Sequence, residues 1–178
     1  MRWILLLCLS WPVLADTVTL EEYLERPEAF GNVVLLRHAL APGGGDPANF
    51  DLADCSTQRN LSEQGRQQSI DLGISLAAVD FDQVYSSPWC RCMETAELLR
   101  LGPVTSHMGL ASFFQGHVDR QDTLTQLDQL LYENTQQSKL LVTHFVVISA
   151  LTGRGVGSGE AVVYNPATKD SWRLIISP

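Results

Sequence analysis

Two arginines and two histidines of this sequence stand where an apolar run gives way to a turn. Arg37 and His38 follow Val33-Val34-Leu35-Leu36, Arg91 follows Ser86-Ser87-Pro88, and His144 follows Leu140-Leu141-Val142-Thr143. A neutral imidazole can attack phosphorus and carry the phosphoryl group, dividing one difficult displacement into two. A guanidinium group offers phosphate oxygens two parallel N–H donors from a planar fork. Covalent phosphoryl transfer through histidine needs both. A lone Arg-His pair has a plain structural explanation, but here three separate segments would each need their own.

The elements that must position these residues are legible in outline. Val33–Leu36 is a continuous apolar run of strand length, as in a strand buried on both faces of a parallel sheet. Phe81–Tyr85 and Lys139–Thr143 read as two further strands, and Ala161–Tyr164 and Trp172–Ile176 as closing ones. Between them, Thr19–Phe30 reads as a short helix, and Ser62 is the N-cap of another whose buried stripe is expected at Ile70, Ile74 and Ala77. Ser87 is placed to cap a third helix, with Pro88 in its first turn, where a missing N–H costs nothing. Leu124, Leu127 and Leu131 mark a fourth. Pro42–Asp54 and Met108–Asp122 read as loops, and the glycines at 153–159, lacking the Lys-Ser or Lys-Thr of a nucleotide-binding loop, as a connector. Strands alternating with helices predict a three-layer α/β sandwich: a mostly parallel open sheet with helices on both faces. Such sheets bind ligands outside the carboxyl ends of their strands, where Arg37, His38, the 86–91 turn and His144 would converge.

The bulk properties set limits. The 178 residues, 45% hydrophobic and 18% charged, suffice for one domain with a full core. A net charge of −8 repels polyanions, which argues against nucleic acid or an anionic membrane as partner. Any phosphate site must therefore be a local basic pocket. Met1-Arg2, the apolar stretch to Trp11 and Val13-Leu14-Ala15 have the order of a secretory signal, too short to span a bilayer. Residues 1–15 are expected to be removed near Ala15. Residues 16–178 then form a single domain that is periplasmic or secreted, without stable membrane insertion. In an oxidising compartment a disulfide is expected between Cys55 and either Cys90 or Cys92. No CxxC or HxxxH spacing supplies the ligands of a zinc site, and neither a metal nor another cofactor is expected.

The words LLRHA at 35–39, RNLSEQGRQQS at 59–69, SSPWCRCMETA at 86–96 and LLVTH at 140–144 resemble the histidine phosphatase superfamily, also called phosphoglycerate-mutase-like, of branch 1. The resemblance spans most of the mature chain. Ala39 stands where the family more often has glycine, and so does Phe145. The resemblance implies that His38 is the nucleophile and that Arg37, Arg91 and His144 clamp the phosphoryl oxygens as charge redistributes, the role metal ions fill in other phosphatases. Arg59, inside a family motif, either touches the substrate or pins its loop. Family members that cleave alcohol phosphates carry a glutamate or aspartate before the last active-site strand, where this sequence has Ser112. Asp119, with Asp122 behind it, is then the nearest carboxylate available as general acid.

His107 and His117 read as loop residues, though His117 could face the substrate. Arg66 reads as a solvated face residue and Glu94 as a structural partner. Trp89, Phe113 and Phe114 could line an organic substrate or pack the core. The function expected is an exported, metal-independent phosphatase for a small phosphomonoester, for instance an envelope sugar phosphate. Its rivals are a phosphohistidine phosphatase, which could dispense with the acid, and a non-catalytic phosphate-binding module on the same fold.

Overall fold

The run Val33–Arg37 forms a strand (β2) whose first four side chains are all buried, as a strand covered on both faces must be. It lies near the middle of a seven-stranded sheet in the computed structural model, which describes residues 16–176. The expected signal segment, residues 1–15, lies outside the described residues. The remaining strands are β1 (Thr17–Thr19), β3 (Gln83–Ser86), β4 (Val104–Ser106), β5 (Lys139–Thr143), β6 (Ala161–Tyr164) and β7 (Ser171–Ile175). Their order is β1-β7-β6-β2-β5-β3-β4. All run parallel except β6, which is antiparallel to β2 and β7.

The α-helices among the described residues are α1 (Leu20–Glu25), α2 (Pro27–Phe30), α3 (Glu63–Leu76), α4 (Cys90–Leu99), α5 (Arg120–Tyr132) and α6 (Phe145–Thr152). Alternate residues of β2 feed two cores. Val34 and Leu36 pack with Leu76, Cys92, Ala96 and Leu99 of α3 and α4, while Val33 and Leu35 pack with Leu127, Leu130, Val147 and Ile148 of α5 and α6. The expected sandwich, with helices on both faces of a mostly parallel sheet, is the observed one.

Several local expectations are corrected. The helix expected over Thr19–Phe30 is two helices, because Pro27 cannot continue α1 and instead starts α2. Thr19 ends β1 and caps α1 through a capping box with Glu22. Ile70, Ile74 and Ala77 are not the buried stripe of α3: Ile74 is 71% exposed, and the buried face is Gly65, Ser69, Gly73 and Leu76. Small residues are needed there because a Cβ on Gly65 or Gly73 would collide with the backbone of Leu40 or Leu99. Ser87 does not cap α4, which begins after Trp89 without a side-chain cap; its hydroxyl is engaged elsewhere. The loop expected over 108–122 contains one 3₁₀ turn, Met108–Leu110, and ends earlier than expected, because Asp119 caps α5 and the helix begins at Arg120.

Candidate active site

The chain crosses β2, β5 and β3 side by side, so their carboxyl ends deliver Arg37-His38, His144 and Ser86-Ser87 to one edge of the sheet. Backbone bonds continue beyond the strands and hold those ends in register: the His38 amide donates to the Thr143 carbonyl (2.9 Å) and the Ser87 amide to that of Val142 (2.9 Å). Thr95 on α4 accepts from the Ala39 amide (3.1 Å) and donates to the Arg91 carbonyl (2.7 Å), joining the His38 segment to the helix that carries Arg91. Above this edge is a cavity of about 220 Å³ lined by Arg37, His38, Arg59, Arg91 and His144, with Asp46, Ser112, Phe114, His117 and Phe145 among its other walls. The structure thus brings together five residues singled out in the sequence.

His38 is buried, and its Nδ1 lies 2.8 Å from the Ala39 carbonyl. A carbonyl only accepts, so the proton resides on Nδ1 and Nε2 keeps its lone pair. Burial, and then the charges of Arg91, Arg59 and Arg37, push the His38 pKa down to about 3, against the Ala39 bond, which raises it. His144 is held well below the ordinary range by burial, Arg91, His38, Arg59 and Arg37. Its Nε2 lies 2.8 Å from the Ser87 hydroxyl and 3.4 Å from the Cys92 thiol. The two imidazoles meet edge to face at 5.5 Å between centroids.

Each of the three arginines is anchored through part of its guanidinium only. Arg37 donates NH1 to the Val156 carbonyl (2.8 Å) and lies over the Phe145 ring at 5.5 Å. Arg59 donates NH1 to the carbonyls of Ala41 and Gly43. Arg91 donates NH1 and NH2 to the carboxylate of Asp46 (2.7 and 3.2 Å). In all three the buried Nε has no hydrogen-bond partner among the described residues. An unmet buried donor costs about 1–3 kcal/mol, and the three arginines that carry these donors all line one cavity, a supply of N–H groups suited to an anion with several acceptor oxygens.

Asp119 is not among the cavity's walls. Its carboxylate caps α5, accepting from the Asp122 amide at 2.9 Å, and it is exposed. Asp122 lies in the first turn of the same helix. His107 caps the 108–110 turn away from the cavity, whereas His117 lines the cavity and stacks on Phe50 at 4.1 Å. Arg66 pairs with Glu94 at 2.6 Å, which is the structural role expected of Glu94. Trp89 is core, Phe113 packs beneath Arg120, and Phe114 (55% exposed) meets Phe145 (39% exposed) at the cavity mouth. The disulfide joins Cys55 to Cys90, leaving Cys92 buried as a free thiol. Sequence reasoning missed Asp46, and it assigned Ser87 to a helix cap. The glycine run before Asp46 gives no sign of where that loop points.

Among the described residues no group of three or more His, Cys, Asp or Glu gathers to hold a metal ion. Arginines and histidines gathered at the carboxyl edge of a mostly parallel sheet suit a small phosphorylated ligand, and the family match makes the class a phosphoric monoester hydrolase. The family model of the histidine phosphatase superfamily (branch 1) matches residues 33–123, just over half of the chain, and the chain belongs to that superfamily. Among solved structures it is similar to a mycobacterial glucosyl-3-phosphoglycerate phosphatase, with a TM-score of 0.56 and 17% identity over 79% of this chain and 95% of that one. It is similar also to a phosphoserine phosphatase of Entamoeba histolytica, with a TM-score of 0.56 and 15% identity over 79% and 93% of the two chains. The protein histidine phosphatase SixA, in complex with tungstate, matches with a TM-score of 0.53 and 19% identity over 79% and 92%. At these identities the likeness is one of fold. No curated protein matches the chain in sequence.

Proposed function

We propose that this protein is an exported, metal-independent phosphatase that hydrolyses a small phosphomonoester, an envelope sugar phosphate in particular, through a phosphohistidine at His38. The observation that carries the reading is the unprotonated Nε2 of His38 in a cavity lined by three arginines whose Nε–H donors have no partner among the described residues. Nε2 attacks phosphorus, the P–O bond to the leaving group breaks, and that oxygen departs with the electron pair and takes a proton from solvent. Water then attacks the phosphohistidine, the N–P bond breaks, and inorganic phosphate leaves. Arg37, Arg59 and Arg91 hold the equatorial oxygens through both steps, supplying fixed positive charge where it is needed, and His144 contributes to the same clamp as a neutral imidazole. The exposed Phe114–Phe145 pair at the mouth suits the apolar face of a sugar ring. Export is supported by the sequence of residues 1–15 and by the Cys55–Cys90 bridge, since disulfides persist in oxidising compartments.

One observation favours a second reading. Among the described residues lining the cavity the only carboxylate is Asp46, and it is already paired with Arg91. A phosphohistidine substrate, whose imidazole leaves as a neutral ring once its other nitrogen has taken a proton from water, makes a small demand on an enzyme acid. The decisive assay is hydrolysis of para-nitrophenyl phosphate, of a hexose phosphate and of a phosphohistidine peptide by residues 16–178 in chelator, with His38→Ala alongside. Hydrolysis that survives chelation, is lost in the variant and traps an acid-labile phosphoenzyme supports the proposal. Turnover by His38→Ala at the wild-type rate refutes it, and preference for the phosphohistidine peptide over the sugar phosphate selects the second reading.

A further inference from the structure

Asp46 lies within an anion-binding cavity although it is itself an anion. Its side chain, like that of Arg91, is only 3% exposed. Oδ1 accepts from Arg91 NH1 (2.7 Å) and from the Arg59 amide (2.9 Å), while Oδ2 accepts from Arg91 NH2 (3.2 Å) and Trp89 Nε1 (3.1 Å). Its backbone is fastened as firmly, the amide donating to Gln115 Oε1 (2.6 Å) and the carbonyl accepting from Gln115 Nε2 (3.1 Å). One residue therefore binds the Arg59 segment, the start of α4 and the 111–118 loop to the glycine run at 43–45. Burial pushes its carboxyl up, but the donors from Arg91, Arg59 and Trp89 prevail and hold it below the usual carboxylate range. An ionised carboxylate with four donors has no proton to give a leaving group.

The geometry specifies what it does instead. A guanidinium can meet a phosphate either end-on, through NH1 and NH2, or side-on, through Nε and one terminal nitrogen. Asp46 occupies the end-on pair of Arg91, and the Nε of Arg91 has no partner among the described residues. Of the two edges, the side-on one is what Asp46 leaves with an unpaired donor among the described residues. The charges fit the same picture: three guanidinium groups less one carboxylate, with both imidazoles neutral, balance a phosphomonoester dianion.

We propose that Asp46 is the positioning residue of this site, turning the side-on edge of Arg91 toward the phosphoryl group and limiting how tightly the cradle holds its product. The proposal rests on reading the cavity as a phosphate site. It makes separate demands on the charge of Asp46 and on its length.

The test is titration calorimetry with inorganic phosphate, with turnover of para-nitrophenyl phosphate measured on the same samples. Asp46→Asn keeps the shape and removes the charge, so phosphate should bind tighter by roughly tenfold, while kcat falls by about tenfold or more because Arg91 is no longer held. Asp46→Glu keeps the charge and changes the reach, so phosphate affinity should stay near wild type while kcat falls similarly. A merely structural role would instead weaken phosphate binding in both variants in step with their melting temperatures, and that result overturns the proposal. Unchanged affinity and turnover in Asp46→Asn overturns it too. Should Asp46→Asn lose its fold, Asp46→Glu decides: loss of kcat at wild-type affinity supports the proposal, and wild-type kcat refutes it. A wild-type protein that binds phosphate yet turns over nothing defeats the catalytic reading alone; the direction of the Asp46→Asn affinity change then decides the role of Asp46.

Discussion

The attack proposed for His38 requires an unprotonated imidazole, and burial is the largest influence keeping it so, pushing its pKa down to about 3. The sign matters. A lowered imidazole pKa keeps Nε2 free at every pH above that value, whereas an imidazole in water would begin to lose its lone pair near pH ~6.5. Since kcat/KM reports the free enzyme, its acid limb, corrected for the ionisation of the substrate, is expected to show no inflection from His38 above about pH 4. A limb remaining near pH ~6.5 in a wild-type profile would overturn that expectation. The residues behind this chemistry were legible unequally. Arg37, His38 and His144 each follow a strongly apolar run, so their place at a strand end was written into local pattern. Asp46 follows three glycines, whose backbone freedom leaves direction to tertiary contacts with Arg91 and Gln115. Ser87 was misassigned because a serine before a proline and a helix is a normal cap; its approach to His144 depends on β3 and β5 being neighbours, which no local signal records.

At the scale of elements, hydrophobic periodicity identified the central strands because they are buried on both faces, and it failed where packing is done by small residues. Along α3, Ile70, Ile74 and Ala77 have the greater hydropathy, yet the helix presents Gly65, Ser69 and Gly73, because α4 and the Leu40 backbone approach too closely for anything larger. The edge strands β1 and β4, three residues each, are too short to show alternation. The glycine face carries a prediction. In an exposed helix Gly→Ala would stabilise by about 1 kcal/mol. A Cβ on Gly73, however, would lie 2.8 Å from the Leu99 Cα and carbonyl carbon, and nearer still to its oxygen. Overpacking of this kind costs about 1–3 kcal/mol and outweighs the propensity gain. Gly73→Ala should therefore lower the midpoint of urea unfolding while Ile74→Ala, on the exposed face, leaves it nearly unchanged. Because α4 carries Arg91, Gly73→Ala should also weaken phosphate binding.

At the scale of the whole molecule, one disulfide among the described residues ties the two sides of the site together. Cys55 precedes the segment that carries Arg59, and Cys90 opens the helix that carries Arg91, so the bridge spans the two sides of the cradle. The sequence narrowed Cys55's partner to Cys90 or Cys92; the structure selects Cys90 because Cys92 points into the core beside His144. With a separation of 35 residues, closing this loop in the unfolded chain is worth up to about 4 kcal/mol in the entropic account, a large share of the ~5–15 kcal/mol that holds a domain folded. Reduction would not by itself release the segment, however. The Gln58 side chain still accepts from the Cys90 amide at 3.0 Å and donates to the carbonyls of Asp51 and Leu52, and Asn60 still donates to the Cys55 carbonyl at 2.7 Å. The expected result is a protein that stays folded at 25 °C but melts several degrees lower in dithiothreitol and binds phosphate less tightly, because the Arg59 backbone that steadies Asp46 has gained freedom. Cys55→Ser should reproduce both effects without reductant. A melting temperature and phosphate affinity that are both indifferent to reduction would mean that the hydrogen bonds of Gln58 and Asn60, and not the bridge, hold the two arginines at their working distance.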